Sequence, residues 1–89
     1  DIPSSILNEV NGEIVNLIFK GDIAGEGIIS DMLQRYAIPG NFLHGTIEYI
    51  QERPLGIFIM ELLGEKQLVA TAKNYLLERG TIVEVIRHV

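Results

Sequence analysis

Two spacings of apolar residues alternate along the chain. "EIVNLIFKG" (13–21) is dense in β-branched and aromatic residues and stops at a glycine, which predicts a strand. Val15, Leu17 and Phe19 fall on one of its faces, and Ile14, Asn16, Ile18 and Lys20 on the other. In "IAGEGIISDMLQRYA", Ile28, Ile29, Met32, Leu33 and Tyr36 recur at helical spacing, and Pro39-Gly40 ends that helix. "NFLHGTIEYI" (41–50) reads as a second strand, "QERP" as its turn and "LGIFIMELLG" (55–64) as a third strand. Leu68, Val69, Ala72, Tyr75 and Leu76 mark a second helix, closed by Gly80 just past its end. "TIVEVIRHV" (81–89) is the last strand.

The order β-α-β-β-α-β has a compact solution, the ferredoxin-like α+β fold, with a four-stranded antiparallel sheet and both helices on one face. Residues 13–89 are assigned to this domain. Residues 1–12, with Pro3, Ser4, Ser5 and Asn11-Gly12, read as a linker carrying one short helical turn. The sheet face away from the helices should be polar at every second position. It is not: Ile57 and Ile59 lie on one side of the third strand while Phe58 and Met60 lie on the other, and the first strand repeats the pattern. Both faces are therefore expected to be covered. The cover is either the leader segment folded over the sheet or a second copy packed sheet to sheet, with Ile57 and Ile59 in the contact.

Composition sharpens that expectation. At 89 residues with 47% hydrophobic content and a mean hydropathy of +0.26, the chain carries more apolar residue than one small core hides. The net charge of −5, with seven Lys+Arg, leaves no electrostatic footprint for nucleic acid. With no cysteine, disulfides, thiolate metal sites and cysteine nucleophiles are excluded together. No apolar run approaches the roughly 18 residues that span a bilayer, and no signal-peptide pattern opens the chain. It begins at Asp1 rather than Met, which points to an excised or processed piece of a larger protein.

Catalytic readings fail quickly. A hydrolytic triad needs a nucleophile, a base and an orienting acid in contact. The histidines are His44, on a strand, and His88, one residue from the end, and no serine sits on a tight turn between strand and helix. Acylphosphatases share this element order but have an arginine-containing phosphate cradle after the first strand. Here that loop is "KGDIAGEG", whose Asp22 and Glu26 repel an anion. Metal carriage on this fold needs two cysteines, and RNA binding needs exposed aromatics backed by basic residues. No catalytic residue, metal ligand or cofactor is assigned to this domain. Glu61 and Glu84 are expected to face water, and His44 to sit on the strand surface.

One polar residue admits two readings. Asn41 stands at the mouth of an apolar strand, where Thr or Val would extend the strand better. Its amide either closes the Pro39-Gly40 turn through an Asx-type bond or holds a ligand. An amide both donates and accepts, so it can bond either charged group of a free amino acid. Asn41, Leu43 and Ile47 share strand parity, so in a regular strand they share a face, and with Ile57 they could wall a polarizable apolar side chain.

Asn41-Phe42-Leu43 at the second strand, with "LIFKG" (17–21), "GIFIMELLG" (56–64) and "GTIVEV" (80–85), resembles the NIL domain over about Glu13 to His88. This family occurs at the C-terminus of ATP-binding subunits of bacterial methionine ABC importers and takes its name from an Asn-Ile-Leu triplet; Phe42 departs from it. The resemblance implies a non-catalytic regulatory domain, pairing with its own copy and binding L-methionine near the paired surface to inhibit import. It places the ligand contact on Asn41, with Phe42, Leu43 and Ile47 as pocket or interface neighbours. It further implies ATP and Mg in the parent protein only, a membrane permease partner, and a location at the cytoplasmic face of the cell membrane. The alternative from another class is a ligand-free dimerisation or interaction module of NIL or ACT-like type.

Overall fold

The computed structural model describes residues 12–21 and 25–88, the side chain of Glu26 excepted. Its elements are β1 (Glu13–Lys20), α1 (Gly25–Tyr36), β2 (Gly40–Ile50), β3 (Arg53–Leu62), α2 (Lys66–Glu78) and β4 (Ile82–Arg87). The helical turn expected in the leader and the position of Asp22 lie outside the described residues. The strands form one sheet in the order β2-β3-β1-β4, and every neighbouring pair is antiparallel. This is the ferredoxin-like α+β arrangement, with β2 and β4 at the edges.

Alternation along the two central strands sorts the core. Val15, Leu17 and Phe19 of β1 and Met60 and Leu62 of β3 pack with Ile28, Ile29 and Met32 of α1 and Val69, Ala72, Tyr75 and Leu76 of α2. Burying each of the larger side chains contributes about 2 kcal/mol, so the helices are held by their apolar stripes more than by propensity. The opposite face, as the alternation predicts, carries Ile14, Ile18, Ile57 and Ile59. Ile14 is fully buried and Ile59 is 8% exposed within the single chain, while Ile18 and Ile57 are half-buried. Exposed apolar side chains gather instead on edge strand β2, where Phe42, Ile47, Tyr49 and Ile50 are each more than half accessible.

The two helices end by the same device with different residues. After α2, Gly80 takes the left-handed conformation (φ 88°), and the Thr81 N–H donates to the Leu76 carbonyl at 3.0 Å. After α1 the left-handed residue is Ala37 (φ 53°), with the Ile38 N–H donating to the Leu33 carbonyl at 3.2 Å. Pro39-Gly40 follows that stop rather than causing it. The Pro39 carbonyl accepts from the Leu63 N–H at 2.9 Å and pins the entry of β2 to the end of β3. At the far end the hairpin turns on Gln51 and Glu52 alone, with φ of 52° and 67°, so Arg53 and Pro54 belong to β3.

Candidate ligand site on the open sheet face

Strand β2 has 11 residues where β3 has 10, and the surplus sits at the candidate site. Phe42 pairs with Met60 and His44 with Ile59, leaving Leu43 as the extra residue of a β-bulge. A single added residue reverses the alternation beyond it. Asn41 therefore shares the face opposite the helices with His44 and Thr46, whereas Phe42 and Ile47 lie on the helix side, across from Met60 and Gly56. The expectation that Asn41, Leu43 and Ile47 share a face does not hold, because it assumed a strand without a bulge. Ile57 and Ile59 do share the face of Asn41.

Asn41 is exposed and sits directly across from Glu61. Its Nδ2 donates to Glu61 Oε1 at 2.9 Å, a bond between strands and not a closure of the turn before it. Glu61 is only 6% exposed, contrary to the expectation that it faces water. Its second oxygen, Oε2, accepts from the backbone N–H of Gly12 at 2.8 Å. Gly12 is a glycine for a steric reason: a Cβ there would stand 2.6 Å from the Leu62 carbonyl oxygen and 2.8 Å from Glu61 Cγ. The available sequence signal for Glu61 is a lone acid inside the apolar run "GIFIMELL", since a buried carboxylate must be matched by donors.

On the helix side, Phe42 and Leu43 line a cleft of about 590 Å³ between α1 and β2, together with Ile29, Leu33 and Phe58. The rings of Phe42 and Phe58 meet edge to face, with centroids 6.1 Å apart. Ile47 stands outside this lining. The structure thus groups Asn41 with Ile57 and Ile59 on one face, and Phe42 with Leu43 on the other side of the same strand. His44 lies across from Ile59, while His88 Nδ1 stands 3.5 Å from Glu13 Oε1, so the histidines serve different places. Among the described residues, no group of three or more His, Asp and Glu is placed to hold a metal ion, and no helix is long and apolar enough to cross a membrane.

A second polar cluster joins the helices on the outside of the core. Asp31 of α1 accepts from the Tyr75 hydroxyl of α2 and from Arg35 Nη2, the latter at 3.3 Å, with Arg79 Nη1 3.6 Å away. The Tyr75 bond, aided by the Arg35 and Arg79 charges, holds the Asp31 carboxyl below its ordinary range. The same bond raises the Tyr75 hydroxyl. Arg35 and Arg79 also stand 5.0 and 5.5 Å from the Tyr75 ring centroid.

The chain is 49% identical over 88 residues to the methionine import ATP-binding protein MetN 1 of Oceanobacillus iheyensis, which covers 99% of this chain and 26% of that protein. It is 55% identical over 86 residues to methionine import ATP-binding protein MetN 2 of Shouchella clausii, covering 97% of this chain and 25% of that protein. The chain thus spans about a quarter of the length of these relatives. The crystal structure of the C-terminal domain of an ABC transporter / ATP-binding protein from Enterococcus faecalis superposes with a TM-score of 0.73 at 28% identity, covering 93% of this chain and 92% of that one. The NIL domain model matches residues 13–85, both helices and the whole of the sheet but for the last two residues of β4, and the chain belongs to the NIL domain family.

Proposed function

We propose that this chain is the regulatory domain of the ATP-binding subunit of a methionine importer, and that it binds cytosolic L-methionine at Asn41 to inhibit further import. Membership of the NIL family and the methionine-import names of its relatives support the host and the ligand class. The observation that carries the site is the exposed Asn41 amide, held by a buried carboxylate on the same face as Ile57 and Ile59. A free amino acid brings an ammonium and a carboxylate for the amide, and a thioether for apolar, polarizable walls. A second copy packed on this face would close the site and make the two domains' arrangement sensitive to ligand. Bound methionine moves that arrangement only as far as it prefers the inhibited state. ATP, Mg and the permease contact belong to the rest of the parent protein, at the cytoplasmic face of the membrane.

A second reading places the thioether in the cleft between α1 and β2, whose apolar lining includes Phe42 and Leu43. Leu43→Ala then weakens methionine binding, whereas a site on the open face leaves affinity nearly unchanged.

The primary test is a titration with L-methionine read by melting temperature, with L-leucine and D-methionine as controls. Ligand at a hundred times its Kd raises stability by about 2.7 kcal/mol. Sedimentation at micromolar concentration should show a dimer. A dimer with no thermal response to millimolar methionine would replace the sensor with a ligand-free interaction module.

A further inference from the structure

Glu61 is more than a satisfied buried acid, and its bonds dictate which end of a ligand Asn41 can take. A carboxylate only accepts hydrogen bonds. Oε1 is held by Asn41 Nδ2 at 2.9 Å and Oε2 by the Gly12 N–H at 2.8 Å, so the NH₂ end of the Asn41 amide must point inward. An amide oxygen turned toward Glu61 would place acceptor against acceptor at a site where Glu61 is almost fully removed from water. That leaves Asn41 Oδ1 as the acceptor for the outside, beside the one N–H of the amide that Glu61 does not take, with the Glu61 carboxylate standing behind the amide.

We propose that Glu61 is a positioning residue that fixes Asn41 with its oxygen outward, so that this site selects the α-ammonium group of the ligand rather than its carboxylate. This rests on Asn41 being the methionine contact. Gly12 is the fixed part of the arrangement, because its N–H belongs to backbone wedged against Leu62 and Glu61 and cannot rotate as a side-chain amide can. In Glu61→Gln, the new amide must keep its oxygen toward Gly12 and turn its NH₂ to Asn41. Asn41 then answers by flipping, and presents its own NH₂ outward. The polarity of the site inverts with scarcely any change of shape.

The test compares three ligands on the 89-residue chain by calorimetry: L-methionine, L-methionine methyl ester, which keeps the ammonium, and N-acetyl-L-methionine, which lacks it. The unaltered chain should favour the ester over the N-acetyl compound by about tenfold or more, the scale of one hydrogen bond to a charged group. Glu61→Gln should shrink or reverse that ratio, an effect that mere loosening of the fold does not produce. Equal binding of the two analogues to the unaltered chain overturns the proposal without any variant. So does a ratio unchanged in a folded Glu61→Gln chain, while binding of L-methionine itself leaves the sensor reading standing. If the unaltered chain binds none of the three, the sensor reading fails and this proposal falls with it. If Glu61→Gln does not fold, the analogue pair on the unaltered chain decides alone.

Discussion

The open sheet face holds two Asn–Glu pairs made in the same way and placed in different surroundings. Asn16 Nδ2 donates to Glu84 across β1 and β4 at 3.1 Å, and Asn41 Nδ2 donates to Glu61 across β2 and β3 at 2.9 Å. Glu84 is exposed, so water competes for its oxygens and the pair contributes little. Glu61 is buried, and its second oxygen is spent on the backbone where the chain enters β1. The asparagines differ in the opposite sense: the Asn16 Oδ1 is buried without a hydrogen-bond partner among the described residues, while Asn41 is exposed. One pair keeps its amide inside and its acid outside; the other holds its acid inside and offers its amide. Burial, not residue type, separates a surface contact from a candidate binding group.

That contrast can be broken most directly at the acids. Glu61→Ala leaves the Gly12 N–H and the Asn41 amide without this acceptor and should cost about 2–3 kcal/mol in urea unfolding, whereas Glu84→Ala should stay within about 0.5 kcal/mol. Similar losses at both positions would erase the distinction drawn from burial. The asparagines sharpen it next. Asn41→Ala is expected to weaken L-methionine about tenfold with the fold intact, and Asn16→Ala to leave affinity unchanged. An unaltered affinity in Asn41→Ala would make that amide structural too.

Two smaller effects separate stability from binding. Gln51 and Glu52 hold left-handed conformations that Asn and Gly adopt more readily, so Gln51→Asn with Glu52→Gly should stabilise the hairpin by about 1 kcal/mol. Methionine affinity should not follow, because the turn lies at the far end of β2 from Asn41; a parallel rise in affinity would tie the site to strand stability. Asp31 supplies a third carboxylate for comparison, open to solvent yet crowded by Tyr75 and two arginines. Its folded pKa lies below the ordinary 3.8, so its contribution is present above that value and is lost as pH falls through the folded one. Asp31→Asn should lower the melting temperature at neutral pH, and the gap from the unaltered chain should close below about pH 4. A gap that persists into strong acid would assign the effect to shape rather than charge.

The element order was legible because strands and helices announce themselves by period: Val15, Leu17 and Phe19 against Ile14 and Ile18, then Ile28, Ile29 and Met32. The helix stop at Gly80 was equally open to reading, while the one at Ala37 was hidden because alanine carries no turn signal. Asn41 stood out as a polar residue where the strand had no use for one. The bulge was not legible, since Phe42 and Leu43 are both apolar and an added residue leaves no mark on composition. Nor was the role of Glu61. Its partners lie 20 and 49 residues away in the chain, and a glutamate in an alternating strand reads as solvent-facing until those neighbours are placed.

Leu43 gives the second strand a length its partner does not require. Remove it, and Phe42 would still meet Met60, His44 would still meet Ile59, and each later pair would keep its present side. The ladder of an 88-residue chain would be the more regular one. What the additional residue supplies is a side chain in the wall of the cleft and a local bend in the edge of the sheet. Deleting one codon would therefore probe contour and pairing independently: the same strands, straightened, with an emptier groove beneath them.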